Sequence, residues 1–172
     1  MNKRIGIFYG PTGGSTEKVA QLIAKELGAI ADLHPIKEAT PSMVNNYDVI
    51  VFGCSTIGSE TWNGEASPSD WDHFRPELKK IQVQGKLFAF FGTGDSVTYP
   101  RNFVDGMGIL AKELIAQGAQ VIGQWPTDGY SFTDSEALIN GKFIGLPIDE
   151  DYEADKTIAR VKGWVELIKK SF

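Results

Sequence analysis

Three stretches of this 172-residue chain carry residue types that can hold an anion or a flat ligand. The first is GPTGGSTEKVA, starting at Gly10, where Gly13 and Gly14 permit close backbone approach and Thr12, Ser15 and Thr16 bring hydroxyls to a helix start. Unpaired N–H groups and partial positive charge at such a start hold a phosphate without Lys or Arg. Ser15 stands where a nucleotide triphosphate loop needs Lys, and no G-x-G-x-x-G fingerprint is present. A glycine-rich turn with a hydroxyl cap accounts for the same letters. The second stretch, FGTGDSVTYPRNF from Phe91, combines Gly92, Gly94 and Asp95 with Tyr99. A tyrosine there can stack on a planar group, although loop tyrosines more often straddle apolar and wet surroundings. The third, CSTIGSETWNGEA from Cys54, is too polar and glycine-broken to continue the apolar run before it, and it offers Ile57 and Trp62 as covers for something flat.

These loops need a scaffold. Apolar runs at 3–9, 48–53, 86–92 and 119–123, with a weaker one at 29–34, read as buried strands. Between and after them, TEKVAQLIAKEL, DWDHFRPELKKI, NFVDGMGILAKELIAQ and DKTIARVKGWVELIKK space apolar residues three and four apart, as helices do. Repeated strand–helix–strand units predict right-handed crossovers and an α/β fold with an open, doubly wound parallel sheet covered on both faces. Such sheets bind ligands at the carboxyl ends of their strands, which brings loops 10–16, 54–70 and 92–101 together. The stretch WPTDGYSFTDSEALING at 125–141 reads as a long excursion before FIGLPI.

Length and 42% hydrophobic content predict one domain over 1–172. A net charge of −5 argues against nucleic acid and anionic membranes and favours a basic protein partner. No apolar stretch is long enough to span a bilayer, so no membrane insertion is expected, and the chain reads as cytoplasmic and monomeric. Cys54 is the single cysteine; with no His near it in sequence, it reads as a packed residue. His34 and His73 sit alone on different elements, so no metal site is expected.

Together, IGIFYG with TEKVA, VFGCST, and FGTGD with YPRNFVDGMGIL resemble the flavodoxin family, FMN-carrying electron-transfer proteins, from Ile5 to Ile168. The tail GAQVIGQWPTDGYSF, SEALINGKFIGLPIDED and VKGWVELI is similar to its long-chain subgroup, whose last strand carries an inserted loop. The resemblance implies a flavodoxin-like five-stranded sheet in the order 2-1-3-4-5. It implies FMN held by Thr12, Gly13, Gly14, Ser15 and Thr16, by Ser55, Thr56, Ile57, Gly58 and Trp62, and by Thr93, Gly94, Asp95, Tyr99 and Asn102. It also implies a low-potential, one-electron carrier that substitutes for ferredoxin and is not itself an enzyme. The partners implied are a ferredoxin- or flavodoxin-NADP reductase and a low-potential donor or acceptor such as photosystem I, nitrogenase or another reductase. The alternative is an FMN-dependent NAD(P)H:quinone reductase. A receiver domain is set aside, because Gly10-Pro11-Thr12 and Cys54-Ser55 stand where its acids belong.

The departures from the family pattern carry their own expectations. Pro11-Thr12-Gly13-Gly14-Ser15-Thr16 replaces T/S-x-T-G-x-T, so two hydroxyls are missing and weaker FMN retention is expected. Ile57 occupies the place where the family often has the tryptophan over the inner flavin face; a competing register gives that role to Trp62. Gly58 lacks a Cβ, which suits the Ile57–Gly58 peptide to swing a carbonyl toward flavin N5 on reduction. Glu60, Glu65, Asp70, Asp72 and Asp95 lie in or near these loops. As anions they would lower the second potential, though each alone reads better as a solvated acid.

Overall fold

The computed structural model describes residues 3–55 and 69–172. Strands β1 (Ile5–Gly10), β2 (Ala31–Pro35), β3 (Val49–Cys54) and β4 (Leu87–Thr93) are joined by crossovers and pair in parallel. With β5 (Gln120–Val121) the order is β2-β1-β3-β4-β5, the expected doubly wound sheet. In-register pairs run Ile5↔Val49 to Gly10↔Cys54 and Val49↔Leu87 to Cys54↔Gly92, so the three central strands end level with one another.

The fifth strand position is filled twice. β5 pairs with Leu87–Phe88, and β8 (Leu146–Ile148) pairs with Phe91–Thr93, both parallel to β4. The excursion between them contains a small hairpin, β6 (Leu138–Ile139) with β7 (Lys142–Phe143), and is tied at its base by paired backbone bonds between Trp125 and Phe143. This is the interrupted last strand expected from the tail.

Alternate strand residues feed two cores because a parallel sheet is buried on both faces. Phe8, Ile50, Phe52, Phe88 and Phe90 face one core with Trp71, Phe74, Met107, Leu110 and Leu114. Ile5, Ile7, Val49, Val51, Ala89 and Phe91 face the other, with Val19 and Ile23 of α1 (Ser15–Leu27) and Val161 and Trp164 of α5 (Thr157–Lys169). Trp164 donates its indole N–H to the Gly123 carbonyl at 2.9 Å, which satisfies its one buried donor.

The remaining helices differ from expectation at their ends. A short α2 (Pro41–Asn45), capped by the Thr40 hydroxyl, was not expected from the periodicity. Of the stretch 70–81 only Asp70–Phe74 is α-helix (α3); Pro76 lacks an N–H and the chain tightens to a 3₁₀ turn over Arg75–Lys80. α4 (Asp105–Ala116) starts three residues later than the periodicity predicts because Val104 is left-handed, with φ 51°.

Candidate functional site

The loops after β1, β3 and β4 all start from the carboxyl ends of these strands, at one edge of the sheet. In the first, Gly13 has φ +85°, a conformation glycine adopts without strain. An added Cβ at Gly13 or Gly14 would meet nothing within 4 Å, so the space over this loop is open. Gly14 is the N-cap of α1 and provides no side-chain hydrogen bond, which leaves first-turn N–H groups facing outward. Thr12 is half-buried, and Ser15 is exposed beside them. Such a set of N–H groups and neighbouring hydroxyls can hold a phosphate.

Two groups of this loop are engaged elsewhere. The buried Thr16 hydroxyl pairs with Thr93 at 2.8 Å, tying the start of α1 to the end of β4. The Gly13 N–H donates to Glu17 at 3.2 Å, and the Tyr9 hydroxyl donates to the same carboxylate at 2.7 Å. Burial, then the hydrogen bond and negative charge of Glu17, push the Tyr9 phenol up to about 12, so it remains a donor.

The loop after β4 is built around two carboxylates. Asp95 accepts the backbone N–H groups of Val97 and Thr98 at 3.1 and 2.8 Å, an Asx-type turn. Partial desolvation works against the charge on Asp95, but the Thr98 and Val97 hydrogen bonds outweigh it and hold the carboxyl below its ordinary value. Asp149, at the end of β8 and fully buried, accepts the Ser96 N–H and hydroxyl at 3.1 and 2.7 Å. Its other oxygen accepts the N–H groups of Asp151 and Tyr152. Desolvation and the neighbouring Asp95, Asp149 and Glu150 raise the Asp151 carboxyl, so acids concentrate on this rim.

The loop presents Tyr99 and Val97 to solvent, 45% and 59% exposed. Gly94 is held by its N–H to the Ile148 carbonyl, and an added Cβ there would lie 3.2 Å from Phe103 and Val104. Asn102 donates its side-chain amide to Asp105 at 3.0 Å, so it braces the start of α4.

Of the middle loop, Ser55 is described and follows β3 directly. Thr56, Ile57, Gly58 and Trp62 lie outside the described residues, as do Glu60 and Glu65. The chain returns at Ser69, whose side chain and Asp72 form a reciprocal capping box for α3. Trp71 then donates to the Gly53 carbonyl at 2.8 Å, closing the end of β3. Cys54 is buried, and burial raises its thiol well above the ordinary value, so it serves as packing.

Sequence reasoning brought Thr12–Thr16, Thr93–Asp95 and Tyr99 to the same sheet edge, and the structure places them there. It missed Asp149 and Trp71. The capping-box spacing Ser69-x-x-Asp72 was the available signal for Trp71, because it fixes where α3 begins. A separate groove of about 420 Å³, lined by Trp125, Tyr130 and Arg160 among others, involves none of these loops. There Arg160 lies over the Tyr130 ring at 3.9 Å and ion-pairs with Glu153.

A doubly wound α/β sheet with an uncapped glycine loop at its carboxyl edge is an arrangement that can hold a phosphate-bearing ligand. The flavodoxin family model matches residues 7–164. Flavodoxin of a Nostoc species is 43% identical over all of this chain and 99% of its own length. That of Klebsiella pneumoniae is 42% identical over 97% of each chain. Among solved structures, Fusobacterium nucleatum flavodoxin bound to flavin mononucleotide aligns with a TM-score of 0.87 at 26% identity, covering 99% of both chains. The chain belongs to the flavodoxin family.

Proposed function

We propose that this chain, a single domain over 1–172, carries electrons one at a time and at low potential on non-covalently bound FMN. The observation that carries the reading is the open, uncapped Gly13–Gly14 loop in a family member whose FMN-bound relative shares its fold. FMN supplies the redox chemistry; the protein binds it and sets the environment of each charge state. The phosphate would lie on N–H groups of Thr12, Gly13, Gly14, Ser15 and Thr16 and on the hydroxyls of Thr12 and Ser15. The ring would lie between the loop carrying Ser55, Thr56, Ile57, Gly58 and Trp62 and the loop carrying Thr93, Gly94, Asp95, Tyr99 and Asn102.

Thr16 and Thr93 act mainly by holding their loops together, and Asn102 by bracing α4. The acidic rim opposes added negative charge. Each anion about 10 Å away contributes roughly 0.4–1.7 kcal/mol for effective dielectrics of 80 to 20, or about 20–70 mV for one electron. The same acids orient a basic docking patch on a partner such as a ferredoxin- or flavodoxin-NADP reductase. Photosystem I, nitrogenase or another low-potential reductase would stand at the other end, with the protein replacing ferredoxin as a cytoplasmic, monomeric shuttle.

Potentiometric titration of the FMN-loaded protein tests the reading. The expected result is two separated one-electron steps, the second below that of free FMN, with no bleaching by NADPH alone. A single two-electron step together with direct bleaching by NADPH would replace the carrier with an FMN-dependent quinone reductase.

A further inference from the structure

We propose that Lys37 is a phosphate-directed cation that supplements the few hydroxyls of the Pro11–Thr16 loop. The inference rests on the FMN reading above and extends it to a residue outside all three loops. Lys37 lies in the single turn Ile36–Glu38 that follows β2, and its ammonium donates to the Thr12 hydroxyl at 3.3 Å.

That contact is informative because of where Lys37 has no contact. Among the described residues Lys37 takes part in no ion pair, whereas Lys18, one turn into α1, is held by Glu150 at 2.6 Å. An ammonium spent on a neutral hydroxyl keeps two N–H donors and its whole charge for an anion. The Thr12 hydroxyl, accepting from Lys37, in turn keeps its own proton for the same anion.

The position also answers the local chemistry. Pro11 and Gly13 supply no hydroxyl, Pro11 supplies no N–H, Thr16 is turned to Thr93, and the Gly13 N–H is shared with Glu17. Glu17 further places a carboxylate against the loop. A cradle depleted of donors and facing a carboxylate gains most from a mobile cation, and a long flexible side chain from the turn after β2 can follow the phosphate as it settles.

Flavin fluorescence quenching by the apoprotein, measured with FMN and with riboflavin, separates the charge from the rest of the site. Lys37→Met should raise the FMN Kd about tenfold, the size expected of a solvent-screened charge-assisted bond, and leave the riboflavin Kd unchanged. Lys37→Arg should keep most of the affinity, and Lys25→Met, a distant change of equal charge, should leave FMN binding unaltered. Added salt should weaken FMN binding more steeply in the unaltered protein than in Lys37→Met. An unchanged FMN Kd in Lys37→Met, or equal losses for FMN and riboflavin, would overturn the role of Lys37 while leaving the carrier reading intact. Failure of the unaltered protein to bind either flavin would remove that reading and this one with it.

Discussion

The Asp149 carboxylate sits fully buried at the end of β8 and accepts four hydrogen bonds, two on each oxygen. An amide in its place would turn an NH₂ group toward one pair of those donors. Asp149→Asn should therefore cost about 3 kcal/mol in urea unfolding, since a hydrogen bond to a buried charge is worth about 1.5–3 kcal/mol and a misplaced donor adds its own penalty. The same change should loosen the loop carrying Tyr99. In the sequence Asp149 is the first acid of a run, PIDED, with nothing local that marks it as buried. Its role depends on Ser96, 53 residues away, and no local pattern encodes that separation. Glycines and hydroxyls were legible because they announce a backbone geometry; Lys37 and Asp149 were not, because their meaning lies in a partner from another loop.

At the scale of elements, the pairing of Thr16 with Thr93 joins the first turn of α1 to the end of β4 and fixes two loops relative to each other. Both side chains are buried, so removing one hydroxyl leaves the other without its partner. Thr16→Val and Thr93→Val should each cost about 1–3 kcal/mol, and the double variant should fall short of their sum by about 1 kcal/mol. Additive losses in a double-mutant cycle would deny the coupling. The central strands were readable because burial on both faces makes them continuous apolar runs. The ends were not: Pro76 tightens the third helix to 3₁₀, and Gly123 at φ +84° lies just past a β5 two residues long, where five were expected. Each is a backbone event too local to shift a periodicity.

The whole molecule is a sheet between two cores, with the excursion from Ile122 to Gly145 packed into one of them through Ala137, Phe143 and Ile144. Its return passes so close to β4 that a Cβ on Gly145 would lie 2.0 Å from the Phe90 carbonyl oxygen. Backbone cannot yield there as a side-chain tip can. Gly145→Ala should lower stability by at least about 2 kcal/mol, measured by denaturant unfolding, because β8 must move away from its partner. An unchanged midpoint would mean that the excursion is only loosely docked. The tail pattern announced such an excursion, but the two-part filling of the fifth strand position emerges only from the pairing of β5 and β8 with the same strand.

That late return also sets a timetable. During synthesis the chain leaves the ribosome from its amino end, so Ser96 emerges 53 residues before the carboxylate that clamps it. At about 5–20 residues per second the interval is roughly 3–10 s. Throughout it, β1, β3 and β4 can already pair while the Tyr99 loop stays unanchored. The nascent protein can thus pair its first four strands before β8 and the Asp149 clamp arrive, and a cofactor arriving early meets a cradle with only one side in place.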